Sequence, residues 1–556
     1  MDGQPAQIAL RPPHQVMRLA RMGSFHPTRL SFMRQLLRRM AVENWQIDRP
    51  LWDVDGKGVG RALYRARGPE RTYTLVAFAH DLPDHLRSDR VIAEAWDATF
   101  ALFDGEPTQA DIDRLEGEVP GQEAGRMSGK ELTLSRANRS VRLFQHVIEC
   151  LSQGQQPDAK MLADVGYLMR TTAVYGSAKF GLSDRTAIAD RPEFMAPFQA
   201  EMLTVWLIRA FTVDIAEHLA KVRNPDAISL DPELRRSLGV GNSTGLGMAP
   251  FLMTHPVLIN NWIESRETAL AKVRALAVAA DEIAVLKNLT GRAIRNADEW
   301  KSVHPLQMEK IGDLKDDLAA FSAWLDTTEA TTITTWNDVW TWVEDNLGPE
   351  GQEQVLSLLL EPHGSEIDDL CPAMSADELA TFHIDGSRLV EDIRQQIEQD
   401  YQWALQTDWG AADVQARLWY VSAEKLEPRL AERADEPLED YEQPLAPGRE
   451  IAALYEAIRD VPGDQQIHRF LSDAPQHRYA VRRLQQIANH PFGETQDNTI
   501  AHDMLPIDLL RAKLSFFGAT RFDPRSDRWV RITMFQGAPY PDEPELWAED
   551  DWMLPQ

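Results

Sequence analysis

The chain has almost no cysteine: Cys150 and Cys371 are the only two among 556 residues. Two thiols so far apart exclude a disulfide framework and lack zinc-site spacing. A chain of this length buries enough surface to fold without staples. Long apolar runs are also missing. The nearest is Met202 to Phe211, interrupted by Arg209, and it falls short of the roughly 18 residues that a membrane-spanning helix needs. Positive charge is scarce overall, with 58 Lys and Arg against 86 Asp and Glu, for a formal net charge of -28. That balance argues against a nucleic-acid partner, whose affinity rests on neutralised phosphates, and against docking on an anionic membrane. Reduced thiols and no spanning segment lead to the expectation of a soluble, cytoplasmic protein. Nothing in the composition excludes a homo-oligomer.

The acidity is unevenly placed. Residues 1–150 carry 21 basic and 20 acidic side chains, whereas residues 301–450 carry 10 and 33. Acidity that sits in one internal segment does not argue against an anionic ligand elsewhere. The opposite bias occurs at Arg11 to Arg39, with seven arginines and no acid. Leu30, Met33, Leu37 and Met40 recur there near helical spacing. Such an opening fits a mitochondrial presequence or a first helix packing its apolar stripe on the fold. Asp2 and the early prolines favour the second.

Strand signals concentrate in residues 58–103. Ala62, Tyr64 and Ala66 alternate with arginines, Gly68 to Arg71 supplies a turn, and Tyr73 to Phe78 follows as an apolar run, which reads as a hairpin. Val91 to Phe103 is read as a third strand, and Trp529 to Phe535 as a C-terminal strand returning to the same sheet. Between them the periodicity is helical. Ser135 is read as the cap of a helix through Leu151, and Gln199 to Ala220 is apolar nearly all round, as an interior helix would be. The expectation is an α+β, predominantly α-helical protein with a small antiparallel sheet near the N-terminus, joined by a C-terminal strand, beside a large helical body. Four segments follow: an α+β unit at 1–130, a helical core with a glycine-rich loop at 131–300, an acidic helical segment at 301–460, and a C-terminal segment at 461–556.

Three stretches carry candidate chemistry. Leu238 to Pro250 holds four glycines with Asn242, Ser243 and Thr244 among them. Gly245 and Gly247 complete a loop whose amides could cradle an anion before a helix. It has no lysine for a Walker loop, and no strand is expected before it for a dinucleotide fingerprint. In the second stretch, Arg170 precedes Tyr175 and Lys179. That pair has the Tyr-x-x-x-Lys spacing of short-chain dehydrogenases, but the glycine motif of that family is missing, so membership is rejected. The two side chains remain candidates for acid–base work. The third is Arg126 followed by Arg136 and Arg139, placed in the first turns of the expected helix, where cations oppose the dipole and call for an anion. His255 is a candidate general base beside the glycine loop.

Other features point less clearly to chemistry. His80 and His85 lack the spacing of a metal motif. Asp214 and His218 stand four apart on the interior helix, as a catalytic dyad or a satisfied core histidine. Trp336, Trp340 and Trp342 serve either as core or as an interface. No Gly-x-Ser-x-Gly elbow accompanies a serine nucleophile. The leading expectation is a metal-independent lyase or isomerase acting on a small carboxylate or phosphate metabolite. Tyr175, Lys179 and His255 would move protons. Arg126, Arg136, Arg139, Arg170 and the glycine loop would hold the substrate. The alternatives are a flavin- or nicotinamide-dependent oxidoreductase and a non-catalytic acidic helical interaction protein. The cofactor stays open.

Overall fold

The computed structural model describes residues 8–86, 95–119, 128–176, 188, 190–244, 255–300, 305–327, 333–375, 383–411, 419–421, 428–430, 443–444, 447–496, 513–518, 521–523, 530–550 and 552–554. Among the described residues twelve strands are defined: β1 (Gln46–Val54), β2 (Gly60–Arg67), β3 (Thr72–Ala79), β4 (Ala98–Asp104), β5 (Glu131–Arg139), β6 (Tyr167–Gly176), β7 (Gly239–Thr244), β8 (Trp419–Val421), β9 (Pro428–Leu430), β10 (Gln443–Pro444), β11 (Arg521–Asp523) and β12 (Val530–Met534). Nine of them form one sheet in the order β1-β2-β3-β4-β5-β6-β7-β12-β11, and β10-β8-β9 form a second. The large sheet is neither small nor N-terminal, which corrects the expected fold class. It draws strands from residue 46 to residue 534 of a substantially helical chain. All its pairings are antiparallel except β6 with β7.

The chain divides into two compact units, each gathered from separate stretches. One consists of residues 25–245, 288–303 and 513–556 and holds the large sheet. Its principal helices are α1 (Phe32–Val42), α2 (Gln109–Glu118), α3 (Phe144–Ser152) and α4 (Gln199–Arg223). The hairpin forms as expected: β2 pairs β3 over its whole length, and Gly68 N donates to Arg71 O at 2.8 Å across the turn. The C-terminal strand does enter this sheet, but beside β7 and not beside the hairpin.

Alternation assigns the two faces of the sheet. Tyr64, Leu75, Leu102 and Thr133 stand opposite one another across β2 to β5 and face α4. Tyr64 Oη donates to Asp214 Oδ2 at 2.5 Å, and the Thr133 and Thr204 hydroxyls lie 2.6 Å apart. The intervening positions Leu63, Val76, Ala101 and Leu134 face the other way and pack with Ile112 and Leu115 of α2. α4 is buried almost all round, as its composition demands. Among the described residues no carboxylate forms an ion pair with its Arg209. The guanidinium donates to Leu238 O and Ala538 O, each at 2.7 Å, and stacks 3.8 Å over the Tyr540 ring. Burial pulls its pKa down to about 10.

The other unit consists of residues 1–24, 246–287 and 304–512. Its main helices are α5 (Pro256–Arg274), α6 (Pro305–Leu325), α7 (Trp336–Asn346), α8 (Pro349–Leu360), α9 (Val390–Asp400), α10 (Pro447–Ile458), α11 (Ile467–Asp473) and α12 (Arg478–Ile487). α9 to α12 share a core built on Ile393, Ile397, Leu454, Ile467 and Leu484. α8 is buried from Glu350 to Leu360 even though it contains Glu353 and Gln354. That is tolerable because Arg11 forks onto Glu267 and Glu353, with contacts from 2.8 to 3.2 Å, and Arg266 and Arg21 complete the set. Pairing opposite charges in this way offsets the cost of burying them. Among the described residues no helix is long and apolar enough to cross a membrane.

Candidate anion-binding site

β5 replaces the helix expected after Ser135. Thr133 and Ser135 are polar yet face α4, so the strand shows no apolar–polar alternation in sequence. The change of element decides what its arginines do. Arg136 stands opposite Thr99, on the face that carries Leu134, and its guanidinium lies 5.3 Å from the Trp96 ring. Asn138, two residues on, shares that face. Its amide nitrogen donates to Ala95 O at 3.2 Å and its oxygen accepts Asp97 N at 2.9 Å. Opposite Asn138 on the neighbouring strand is Arg170. Arg136 and Arg170 are 8% and 3% exposed. Two guanidinium groups are thus buried on one face of adjacent strands, which lie about 4.8 Å apart.

Further groups extend this face. His80 continues the line of β3, and its Nε2 lies 2.8 Å from Thr99 Oγ1. Burial pushes the imidazole below its usual pKa, so the ring is neutral at pH 7 and able to take a proton. Tyr175 occupies the register position opposite Leu134, and Ser243 the position opposite Arg531. Ser243 is two residues from Gly241, which pairs with Arg170. The register therefore brings Arg136 and Arg170 to the same side of adjacent strands, with Tyr175 and Ser243 at backbone positions on β6 and β7.

The remaining candidates are placed elsewhere. Arg139 lies on the α4 face, with its guanidinium 4.7 Å over the Phe144 ring and its Nε 3.7 Å from Asp97. Asn242 also points there, donating to Thr171 Oγ1 at 3.1 Å. Thr244 pairs with Val530 at the end of β7. His255 directly precedes α5 and belongs to the other compact unit. Arg126, Lys179, Gly245 and Gly247 lie outside the described residues.

Gly239 and Gly241 belong to a strand, not to the expected loop. A Cβ at Gly239 would lie 2.3 Å from Met534 O, and one at Gly241 would lie 2.7 Å from the Tyr167 ring. Close approach of neighbours accounts for both glycines without a ligand.

Asp214 and His218 do not form a dyad. Asp214 binds Tyr64 and, at 2.7 Å, Arg49. His218 accepts Trp52 Nε1 at 3.3 Å on Nδ1, and its Nε2 lies 3.0 Å from Asp55 O. Among the described residues no three His, Cys, Asp or Glu side chains gather as metal ligands would.

Thr99 and Trp96 are members of the face that sequence reasoning missed, and His80 was weighed there only as a metal ligand. The available signal was His80 itself, a polar residue continuing the alternation of an otherwise apolar strand. No protein-family model, curated protein or solved structure matches this chain.

Proposed function

We propose that the protein is an enzyme acting on a small carboxylate- or phosphate-bearing metabolite by acid–base chemistry, of the lyase or isomerase type. The observation that carries this reading is the placement of Arg136 and Arg170, both buried, on one face of adjacent strands. Guanidinium groups present paired donors that match carboxylate and phosphate oxygens. They act more strongly away from water. Asn138 lies between them in the ladder. The neutral His80 imidazole supplies a proton acceptor on the same face, and Tyr175, paired in register with Leu134, is the proposed acid. The oxidoreductase alternative relied on the glycine-rich stretch, and packing already accounts for Gly239 and Gly241.

The test is calorimetric titration of the full chain with inorganic phosphate, pyrophosphate and citrate. At least one should bind. Arg170→Gln should weaken that binding by about tenfold or more, the value of a charge-assisted pair. Arg139→Gln, on the opposite face, should leave it unchanged. Unchanged affinity in a folded Arg170→Gln protein, or no binding of any anion, refutes the assignment. Deuterium exchange at carbon next to a substrate carboxylate, lost in His80→Gln, would then identify the acid–base step.

A further inference from the structure

Trp324, Trp336, Trp340 and Trp342 of the acidic segment fall into two groups. Trp336 and Trp340 are fully buried. Trp342 is half-buried and lies parallel to Trp324 of α6, with ring centroids 4.5 Å apart and 14° between planes. The two rings rest on buried Phe321, at 5.9 and 6.0 Å. They line an open groove of about 500 Å³ that also contains Asp338 and Asp345 and no basic side chain.

The two carboxylates differ. Asp338 Oδ2 accepts Thr334 N, Thr334 Oγ1 and Thr335 N at 2.9 to 3.0 Å, closing the N-terminus of α7. Those bonds hold it ionised, below the usual carboxylate range. Asp345 is exposed, and among the described residues no hydrogen bond or ion pair reaches it.

Aromatic faces carry negative potential and attract guanidinium or ammonium groups. Carboxylates on the same groove add to that attraction. The surrounding stretch, residues 301–450, carries 33 acidic against 10 basic side chains, a field that steers cations toward it. An open groove admits a passing chain, whereas a free small cation calls for enclosure.

We propose that this groove docks a basic segment of a partner protein, with one arginine or lysine side chain lying along Trp342 and reaching Asp345. This surface is independent of the arginine face on the large sheet, so either assignment can fail without the other.

The experiment titrates the full chain with an acetylated, amidated Gly-Arg-Gly-Arg-Gly peptide at low salt. Asp345→Asn and Trp342→Leu should each weaken binding about three- to fivefold, the scale of an exposed cation–π or ion-pair contact. Asp460→Asn, at an exposed acid that does not line the groove, should have no effect. Equal loss in all three variants would show diffuse attraction and overturn the site. Unchanged binding in Asp345→Asn, a surface change that leaves the fold intact, would overturn it as well. So would a wild-type chain that does not bind. Methylguanidinium binding as tightly as the peptide would overturn the assignment to a protein segment.

Discussion

Glu353 offers a test of how a fully buried charge is tolerated in α8. Arg11 Nη1 donates to it at 2.8 Å, Arg21 Nη1 at 3.3 Å, and Arg266 Nη1 lies at 3.5 Å. Burial opposes ionisation, but the facing arginines overcome it and pull the carboxyl from 4.5 down to about 2. By linkage, that fall is worth about 3 kcal/mol of stability at neutral pH. A carboxylate with a depressed native pKa contributes in full above its unfolded value and loses the contribution as pH falls toward the native one. The stabilisation is therefore complete above about pH 5 and drains away between about pH 4.5 and 2. Glu353→Gln removes it at every pH and leaves Arg11 and Arg266 with Glu267 as their one remaining carboxylate among the described residues, an imbalance that costs about 3–5 kcal/mol in buried sites. The assay is urea denaturation of wild type and variant at pH 7 and pH 3. The gap should be about 3 kcal/mol or more at pH 7 and shrink to under half of that at pH 3. A gap that is absent at pH 7, or equal at both pH values, would refute the reasoning.

Other outcomes follow from single contacts. Arg209→Met strips the donors from Leu238 O and Ala538 O and unstacks Tyr540; unfolding free energy should fall by about 3 kcal/mol, with Arg209→Lys recovering less than half. Gly241→Ala pushes a methyl group to 2.7 Å from the Tyr167 ring and should cost about 1–3 kcal/mol, less in a Tyr167→Leu background. His80 should titrate in NMR below its ordinary value of 6.5, since burial disfavours the charged ring. Its neutral native form means that stability falls as pH drops below about 6.5, and a midpoint above 6.5 would contradict this placement.

Sequence patterns were reliable where one face of an element is apolar and the other polar. The β2–β3 hairpin and the arginine-bearing first helix follow from such contrast, and the interior position of α4 follows from apolar residues nearly all round. β1 escaped because Pro50 interrupts it. The structure tolerates that proline at the sheet edge, where the register shifts between Asp48 and Leu51, the setting in which proline is allowed in a strand. β5, β6 and β7 escaped because both faces are buried and polar residues lie on each. Thr133, Ser135, Thr171 and Asn242 are all buried on the α4 side, so neither a period of 2 nor one of 3.6 stands out. The glycines of β7 then read as loop punctuation, although close packing against β12 and Tyr167 requires them.

The same ambiguity explains how much of the candidate site was legible. Arg136 and Arg139 look like equal members of one cluster in sequence. On a helix, residues three apart share a face, and the pair would form a single anion clamp. On a strand, an odd separation sends them to opposite faces. One arginine then serves Asp97 and Phe144 beside α4, while the other joins Arg170 on the far side. The identity of the secondary structure, more than the presence of arginine, decides which face each cation occupies. This makes Arg139→Gln the informative control for Arg170→Gln. The two arginines have similar chemistry and lie on strands paired in one ladder, so they differ chiefly in the face they occupy. An anion whose affinity depended equally on both would have to be held through overall charge, and the arrangement of Arg136, Asn138 and Arg170 would carry no specificity.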